Sequence, residues 1–219
     1  MEQANLIERV LAHDLTYLER AALIDLAKAV SELRHNNVNG ILVETGCALG
    51  GSALVMTFAK QKEQPLFVFD VFGIIPPPSQ HDGEDVHQRY KAIVSGSSVG
   101  IGDGTYYGYQ SDLLNKVKRT FAEFDLPIDK NAVHFIQGLY SDTLSIDQPI
   151  ALAHIDCDWY ESVLVCLERI EPNLTSGGRL VIDDYYTWSG CRAAVDFYFR
   201  DKLDQFEFIK KSRLHIIKK

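Results

Sequence analysis

Features that mark several protein classes are scarce in this chain of 219 residues. Its four cysteines, Cys47, Cys157, Cys166 and Cys191, are thinly spread and lack the C-x-x-C spacing of zinc sites. We therefore expect reduced, buried thiols rather than a zinc centre. No stretch of the sequence approaches the roughly 20 apolar residues that a membrane-spanning helix needs.

Positive charge is also scarce, because 22 Lys and Arg residues stand against 30 Asp and Glu residues, a formal net charge of −8. Nucleic acids and anionic membranes bind clustered Lys and Arg, so we expect neither as a partner. A small anionic ligand held by backbone amides is still compatible with this balance. The first 20 residues show no apolar signal core and no basic amphipathic pattern, which favours a cytoplasmic location.

Helical and strand patterns alternate along the chain and predict an α/β domain with parallel strands. Residues 15–35 have apolar side chains at helical spacing, and the strand "ILVE" then leads through "TGCALGGSA" into a second helix. Further strands are predicted in "PLFVFD", "NAVHFIQG", "IALAHID" and "GGRLVIDD", and "FEFIKKSRLHIIKK" reads as a C-terminal hairpin. The length suits one domain over 1–219, in which 1–38 form a helical cap.

Residues 73–109 depart from this alternation. They concentrate glycine and proline around one helical patch, "EDVHQRYKAIV". Such a long insertion is either a partly ordered surface segment or a lid over an active site, and both interpretations stay open.

The loop "ETGCALGGSA" joins a strand to a helix and is rich in glycine. A junction of this kind presents backbone N–H groups and the positive end of a helix dipole to a ligand. Ser52 is placed either to cap the helix or to hydrogen-bond a bound carboxylate. Neither the G-x-G-x-x-G of dinucleotide-dependent oxidoreductases nor the phosphate-binding G-x-x-x-x-G-K-[ST] is present, which disfavours both classes.

Glu44, Gly46 and Gly50 instead form E-x-G-x-x-x-G, and Asp70 ends the next predicted strand. This is the pattern of class I methyltransferases, in which an acid at the second strand accepts hydrogen bonds from the ribose diol of S-adenosylmethionine. The candidate cofactor contacts in this part of the chain are Glu44, Thr45, Gly46, Gly50, Ser52 and Asp70.

Four aspartates, Asp156, Asp158, Asp183 and Asp184, follow two predicted strands. Residues two apart on a strand share a face, so Asp156 and Asp158 point together if the strand continues. The carboxyl ends of parallel strands meet at one crevice, where converging carboxylates favour a bound cation. Oxygen ligands without nearby Cys or His spacing favour Mg²⁺ or Ca²⁺. Alternatively, Asp158 only caps the next helix and the second pair only starts a loop.

Aromatic and histidine side chains near these motifs carry weaker indications. His154 is interpreted as a buried, hydrogen-bonded histidine rather than a metal ligand. Tyr17 is interpreted as a packing residue, with covering the cofactor as the alternative. Several aromatic residues are candidates for an acceptor pocket or for core packing: Trp159, Tyr160, Tyr185, Tyr186 and Trp188.

Several segments between about 40 and 200 together resemble the macrocin O-methyltransferase family: "VETGCALGGSA", "FVFDVFGIIPPPS", "IQGLYSDTL", "HIDCDWYESVLVCLERIEPNLTSGGRLVIDDYY" and "CRAAVDFY". The resemblance implies a Rossmann-like class I methyltransferase fold. Its seven-stranded sheet is mostly parallel, with an antiparallel strand from the C-terminal hairpin and helices on both faces.

The same resemblance implies an S-adenosylmethionine-dependent and divalent-cation-dependent O-methyltransferase that acts on a small-molecule hydroxyl, such as that of a sugar or a natural-product intermediate. It assigns Asp156, Asp183 and Asp184 to a divalent cation, usually Mg²⁺, and Asp158 to the general base. Gln137 and Gly138 are implied beside the adenine, and the family suggests a homodimer. Two rival functions are a metal-dependent hydrolase built on the four aspartates and a catalytically inactive cofactor-binding subunit.

Overall fold

The computed structural model of the protein describes residues 2–219. Its centre is one sheet of seven strands in the order β3-β2-β1-β4-β5-β7-β6. β1 to β5 pair in parallel, and β7 is antiparallel to both β5 and β6. The predicted fold class is thus confirmed. The strands are β1 Ile41–Thr45, β2 Leu66–Asp70, β3 Val133–Gln137, β4 Ile150–Ile155, β5 Leu174–Ile182, β6 Phe206–Lys210 and β7 Leu214–Lys218.

Eight α-helices surround the sheet in the described part of the chain. They are α1 Gln3–Ala12, α2 Arg20–His35, α3 Gly51–Ala59, α4 Glu84–Val94, α5 Leu113–Glu123, α6 Tyr140–Thr143, α7 Tyr160–Ile170 and α8 Ser189–Phe199. None of the helices in residues 2–219 is long and apolar enough to cross a membrane.

The predicted helix over 15–35 is wrong at its start. The structure begins α2 at Arg20 and places an additional helix, α1, before it. The chain turns between the two helices, where Asp14 has a φ of 52° and Leu15 accepts a hydrogen bond at 2.9 Å from the Gly51 amide. This contact with the glycine-rich loop holds residues 13–19 outside either helix.

Alternate residues of β1 face opposite sides of the sheet, because side chains of a strand alternate between its two faces. Leu42 packs in the core shared with α1, α2, α3 and α5, whereas Ile41 and Val43 pack in the core shared with α7 and α8. Both faces of the strand are buried, as expected for a central parallel strand. The sheet therefore holds the ends of its strands on a rigid frame.

The insertion 73–109 packs over the carboxyl ends of the strands through several hydrogen bonds. The Trp159 indole donates a hydrogen bond to the carbonyl of Pro76 at 3.0 Å. The carboxylate of Asp82 accepts from the Tyr160 amide at 2.8 Å, and Ser189 donates to Asp85 through both its amide and its hydroxyl. The predicted helix in this segment is confirmed as α4. These contacts fix α4 against the start of α7 and α8.

Candidate active site

Gly46 brings the glycine-rich loop against the segment that follows β4. Its φ is +92°, and a Cβ at this position would lie 1.6 Å from the backbone oxygen of Asp156. Any other residue would therefore force the loop and the Asp156 segment apart, since only glycine combines this φ with the absence of a side chain. The loop and the first of the four aspartates are thus in backbone contact.

Asp70 shapes the same loop from the end of β2. Its Oδ2 accepts hydrogen bonds from the amides of Cys47 and Ala48 at 2.6 and 3.0 Å, and its Oδ1 accepts from Phe72 at 2.6 Å. Burial raises the pKa of Asp70, and these amides act against that rise. The carboxylate lines both of the cavities described next, so its contact with a ribose diol stays a prediction.

Two cavities open at the carboxyl ends of the strands and share one wall. The first cavity extends along the insertion and the start of α6, and its walls include Ile75, Pro76, Leu139, Tyr140 and Ser141. The second cavity extends toward α4 and the aspartates, and its walls include Arg89, Trp159, Asp183, Asp184 and Trp188. The shared wall consists of Gly46, Asp70, Tyr107, Asp156 and Asp158.

The predicted cofactor residues divide into those that reach a cavity and those that do not. Gly46, Ser52 and Asp70 line at least one cavity. Ser52 does not cap α3, because Gly50 is the N-cap and no side chain caps this helix end. Five predicted residues lie outside both cavity walls: Glu44, Thr45, Gly50, Gln137 and Gly138.

Glu44 is fully buried and points instead to the neighbouring strand. It lies directly opposite His154 in the β1–β4 register, and its Oε1 is 3.1 Å from His154 Nδ1. His154 is fully buried as well, and its Nε2 lies 3.5 Å from Asp183 Oδ1. His154 is thus buried and hydrogen-bonded through Nδ1, as interpreted, and its role beside a metal ion stays a prediction.

All four aspartates line the second cavity, and the Asp158 amide donates to Asp184 Oδ2 at 3.2 Å. The condition for strand alternation is not met, because β4 ends at Ile155 and Asp158 has a left-handed φ of 58°. This turn directs the chain back over the cavity. The capping alternative is wrong, since Asp82 of the insertion accepts the Tyr160 amide at the start of α7.

The carboxylates disturb one another's protonation. Burial, reinforced by the neighbouring aspartates, raises the pKa of Asp156 and of Asp184 well above the usual range. Burial and the charge of Asp183 raise the pKa of Asp158 to about 6. Converging carboxylates of this kind stay ionised together only when positive charge lies among them.

Two cations supply part of that charge at Asp183. Burial opposes protonation of His154, but its neighbours Asp183 and Glu44 outweigh it and raise the pKa to about 9. Arg213 donates from Nε to Asp183 Oδ1 at 2.7 Å. Burial alone would raise the pKa of Asp183, but His154 and Arg213 outweigh it and lower that pKa. Asp156 and Asp184 receive no comparable support within residues 2–219.

The donor atoms also meet the first requirement of a metal site. One ligand atom each from His154, in its neutral form, Asp156 and Asp183 lie within 4.8 Å of one another. With two further carboxylates on the same cavity wall, the arrangement can hold a divalent cation.

Comparison with known proteins decides the class of this site. The profile of the macrocin-O-methyltransferase (TylF) family matches residues 10–208. The chain belongs to this family. It is accordingly an S-adenosylmethionine-dependent O-methyltransferase, as the other members are.

Individual members of the macrocin-O-methyltransferase family agree with this assignment. The chain is 30% identical over 200 residues to demethyldecarbamoylnovobiocin O-methyltransferase of Streptomyces niveus, covering 88% of this chain and 70% of the relative. It is also 30% identical over 193 residues to an 8-demethyl-8-(2,3-dimethoxy-alpha-L-rhamnosyl)-tetracenomycin-C 4'-O-methyltransferase of Streptomyces olivaceus, covering 85% and 67%. The solved structure of the O-methyltransferase NovP superposes with a TM-score of 0.76 at 26% identity, covering 94% of this chain and 81% of NovP.

Some residues that line the site of this methyltransferase were not singled out from the sequence. Leu139, Tyr140 and Ser141 follow β3 and line the first cavity, one residue beyond the predicted Gly138. Arg89 lines the second cavity from α4. The exposure of Leu139, an apolar residue, is visible only in the folded chain.

The aromatic candidates divide into residues that line a cavity and residues that pack in the core. Trp159 and Trp188 line the second cavity and contact each other edge to face at 5.7 Å. Tyr160 belongs to the core, and Tyr185 packs against it. Tyr17 is about half exposed, contacts the Tyr107 ring edge to face at 6.0 Å and lines the second cavity, so its packing role and the alternative of covering the cofactor both stay predictions.

Proposed function

We propose that this O-methyltransferase depends on a divalent cation and methylates a hydroxyl group of a sugar or natural-product intermediate. One observation carries the proposal. Four carboxylates converge in the second cavity, which residues of the glycine-rich loop also line and which shares a wall with the first cavity. The names of two relatives, which modify novobiocin-type and rhamnosyl-tetracenomycin compounds, support acceptors of this kind.

The first cavity suits the cofactor. Its walls combine apolar residues for an adenine ring with the polar wall of Gly46 and Asp70. Ser52, near the start of α3, lines the adjoining space and offers a hydroxyl to the methionine carboxylate. When bound, S-adenosylmethionine supplies a methyl group on a positively charged sulfur. Gly46 lets it approach the backbone, where a side chain would collide with Asp156.

The aspartates suit a cation with oxygen ligands. Asp156, Asp183 and Asp184 would hold it. Burial and the neighbouring aspartates raise the pKa of Asp156 and Asp184, and a bound cation would favour the ionised form of both. Mg²⁺ prefers such oxygen ligands. When bound there, a divalent cation lowers the pKa of a hydroxyl that contacts it. His154, already paired with Glu44, orients Asp183 from behind.

Asp158 is proposed as the general base. It lies on the wall between the two cavities and therefore faces both ligands. Burial and Asp183 raise the pKa of Asp158 to about 6, so the carboxylate is mostly ionised at neutral pH. With the cofactor bound, Asp158 would take the proton from the acceptor hydroxyl as the methyl–oxygen bond forms and the methyl–sulfur bond breaks, which would leave S-adenosylhomocysteine.

The insertion 73–109 is proposed as the lid of this site. It lines both cavities, and its contacts with Trp159, Tyr160 and Ser189 hold it over the strand ends. By excluding water and fixing the acceptor in line with the methyl group, such an arrangement contributes as much as ~7–11 kcal/mol to lowering the barrier. The homodimer and the cytoplasmic location stay predictions.

The metal site can be tested without knowing the acceptor. Mn²⁺ binding is measured by electron paramagnetic resonance in the wild type and in Asp184→Asn, with Asp201→Asn as an exposed control. We expect Asp184→Asn to weaken Mn²⁺ binding at least about 10-fold while S-adenosylhomocysteine binds normally by calorimetry. Unchanged Mn²⁺ affinity in Asp184→Asn, or wild type that binds no Mn²⁺, would remove the cation from the proposal.

Activity then provides the second test. S-adenosylhomocysteine formation is followed with a panel of sugar and phenol acceptors, with and without a chelator. Turnover should stop in excess chelator and return with Mg²⁺. Full turnover in the chelator would show a cation-independent methyltransferase.

A further inference from the structure

Arg89 brings a positive charge into the second cavity from α4. It is partly buried there, and its guanidinium carbon lies 5.4 Å from the centroid of the Tyr106 ring. Among the side chains that the structure describes, none forms an ion pair or a hydrogen bond with Arg89, and its described contact is the ring of Tyr106. A partly desolvated guanidinium without an anionic partner is unfavourable, and it is well suited to receive one from a ligand.

The other arginine of this cavity is already engaged. Arg213 donates to Asp183 from Nε and to both carboxylate oxygens of Glu19 from its two terminal nitrogens, at 2.7 to 2.9 Å. Its charge therefore belongs to the protein's own acids. Arg89 differs from it in having an aromatic ring as its neighbour and a fork of donors free to bind.

Two phenol groups accompany Arg89 from other parts of the chain. Burial raises the pKa of Tyr106 to about 12 and that of Tyr17 above its ordinary value, and in both cases the nearby charge of Arg89 acts in the opposite direction. Tyr17 lies in the segment before α2, and Tyr106 lies at the end of the insertion. Both line the second cavity and remain protonated hydrogen-bond donors at neutral pH.

Arg89 shares the second cavity with the proposed base, Asp158. Asp85 on the same helix is bonded to Ser189, which fixes the helix against α8. The charge of Arg89 lowers the pKa of Asp158, against the larger effects of burial and Asp183. Both side chains line the second cavity, and they do not form an ion pair with each other.

We propose that the acceptor carries an oxyanion, either a carboxylate or a phosphate, and that Arg89 binds it together with the hydroxyls of Tyr17 and Tyr106. The hydroxyl to be methylated then points to Asp158, on the wall that the two cavities share. Arg89 suits this role because its planar fork matches two oxygens of one anionic group. The inference rests on the proposed function and specifies its substrate as an anionic hydroxyl compound.

Matched pairs of acceptors test the inference. The first pair is 3,4-dihydroxybenzoate and catechol, and the second is L-rhamnose 1-phosphate and methyl L-rhamnoside. Binding to the enzyme holding S-adenosylhomocysteine and Mg²⁺ is measured by calorimetry. The variants are Arg89→Gln, Arg89→Lys and, as a control, Lys91→Gln, which removes the same charge from an exposed position of the same helix.

In the wild type, the anionic member of at least one pair should bind more tightly than its neutral partner, and the pair that discriminates identifies carboxylate or phosphate. Arg89→Gln should weaken the anionic member roughly 10- to 100-fold and leave the neutral member unchanged. Arg89→Lys should retain part of the discrimination, and Lys91→Gln should retain all of it.

Several outcomes would overturn the inference: wild type that binds neither anionic probe, equal binding within both pairs, or equal losses in Arg89→Gln and Lys91→Gln. Weaker S-adenosylhomocysteine binding in Arg89→Gln would assign Arg89 to the cofactor carboxylate instead. If wild type binds S-adenosylhomocysteine and Mn²⁺ but does not discriminate, only this inference fails. If the wild type binds neither S-adenosylhomocysteine nor Mn²⁺, the proposed function itself is contradicted.

Discussion

Arg213 joins the turn of the C-terminal hairpin to Asp183 through a hydrogen bond of 2.7 Å from Nε to Oδ1. The same guanidinium holds Glu19, just before α2, through two further bonds. One side chain thus connects the end of β5 with both terminal parts of the chain. The orientation of a proposed metal ligand depends on residues that are distant in sequence.

Arg213→Met is expected to destabilise the protein by about 3 kcal/mol, because it leaves Asp183 buried with less compensation. Mn²⁺ binding should weaken as well, since Asp183 loses its orientation. Urea unfolding without metal measures the first effect and electron paramagnetic resonance the second. The control is Arg200→Met, whose ion pair with Asp201 is largely exposed and should contribute less than about 1 kcal/mol. Equal losses in the two variants would contradict the structural role of Arg213.

Asp158→Asn is expected to reduce turnover roughly 10²- to 10⁴-fold, because the amide cannot accept the acceptor's proton. S-adenosylhomocysteine should bind with unchanged affinity, since the substitution keeps the shape of the side chain. Single-turnover kinetics with a confirmed acceptor measure the effect, and Asp201→Asn serves as the exposed control. A variant that turns over at the normal rate would show that another group removes the proton.

Gly46→Ala and Gly96→Ala form a matched comparison, because both glycines have positive φ. An added Cβ at Gly96 meets no atom within 4 Å, whereas at Gly46 it would meet the Asp156 carbonyl. Gly96→Ala should therefore cost about 1–2 kcal/mol of unfolding free energy from backbone conformation alone. Gly46→Ala should cost clearly more and abolish S-adenosylhomocysteine binding. Similar unfolding free energies for the two variants would show that the loop yields easily.

His215 predicts how stability changes with pH. Burial, with Lys211, Arg179 and His154 nearby and Asp25 acting in the opposite direction, lowers the pKa of His215 to about 4. The unfolded chain binds this proton near pH 6.5, so stability present above pH 6.5 is lost as the pH falls toward 4. His215→Phe should reduce that loss in thermal unfolding measured between pH 7 and 4.5, and exposed His35→Phe should not. An unchanged pH dependence in His215→Phe would assign the acid sensitivity to other groups.

Much of the fold was predictable because the strands are short apolar runs that end in acids or turns. The helix α1 and the break at residues 13–19 were not, because that break depends on the contact between Leu15 and Gly51. A contact between distant residues of this kind leaves no periodic trace in the sequence. Tertiary contacts here override the local helical pattern.

The candidate site was likewise predictable from the sequence only in part. Strand order alone predicts that the four aspartates meet at one edge of the sheet. The role of Glu44 was not predictable, because it follows from the register that places Glu44 opposite His154. A cofactor contact and a buried ion pair require the same residue type at the end of a strand. Arg89 likewise looks like any charged residue of an amphipathic helix until the cavity is seen.

The hydrogen bond of Asp82 to the start of α7 limits how the acceptor preference can be redesigned. Exchanging the segment over the cavity for that of a relative is the natural way to change what the enzyme accepts. In this protein the exchange would also remove the carboxylate that satisfies the first amide of α7, a loss of about 1 kcal/mol. A transplanted segment therefore needs its own acid at that point, or new selectivity will come with a weakened helix beside the reacting groups.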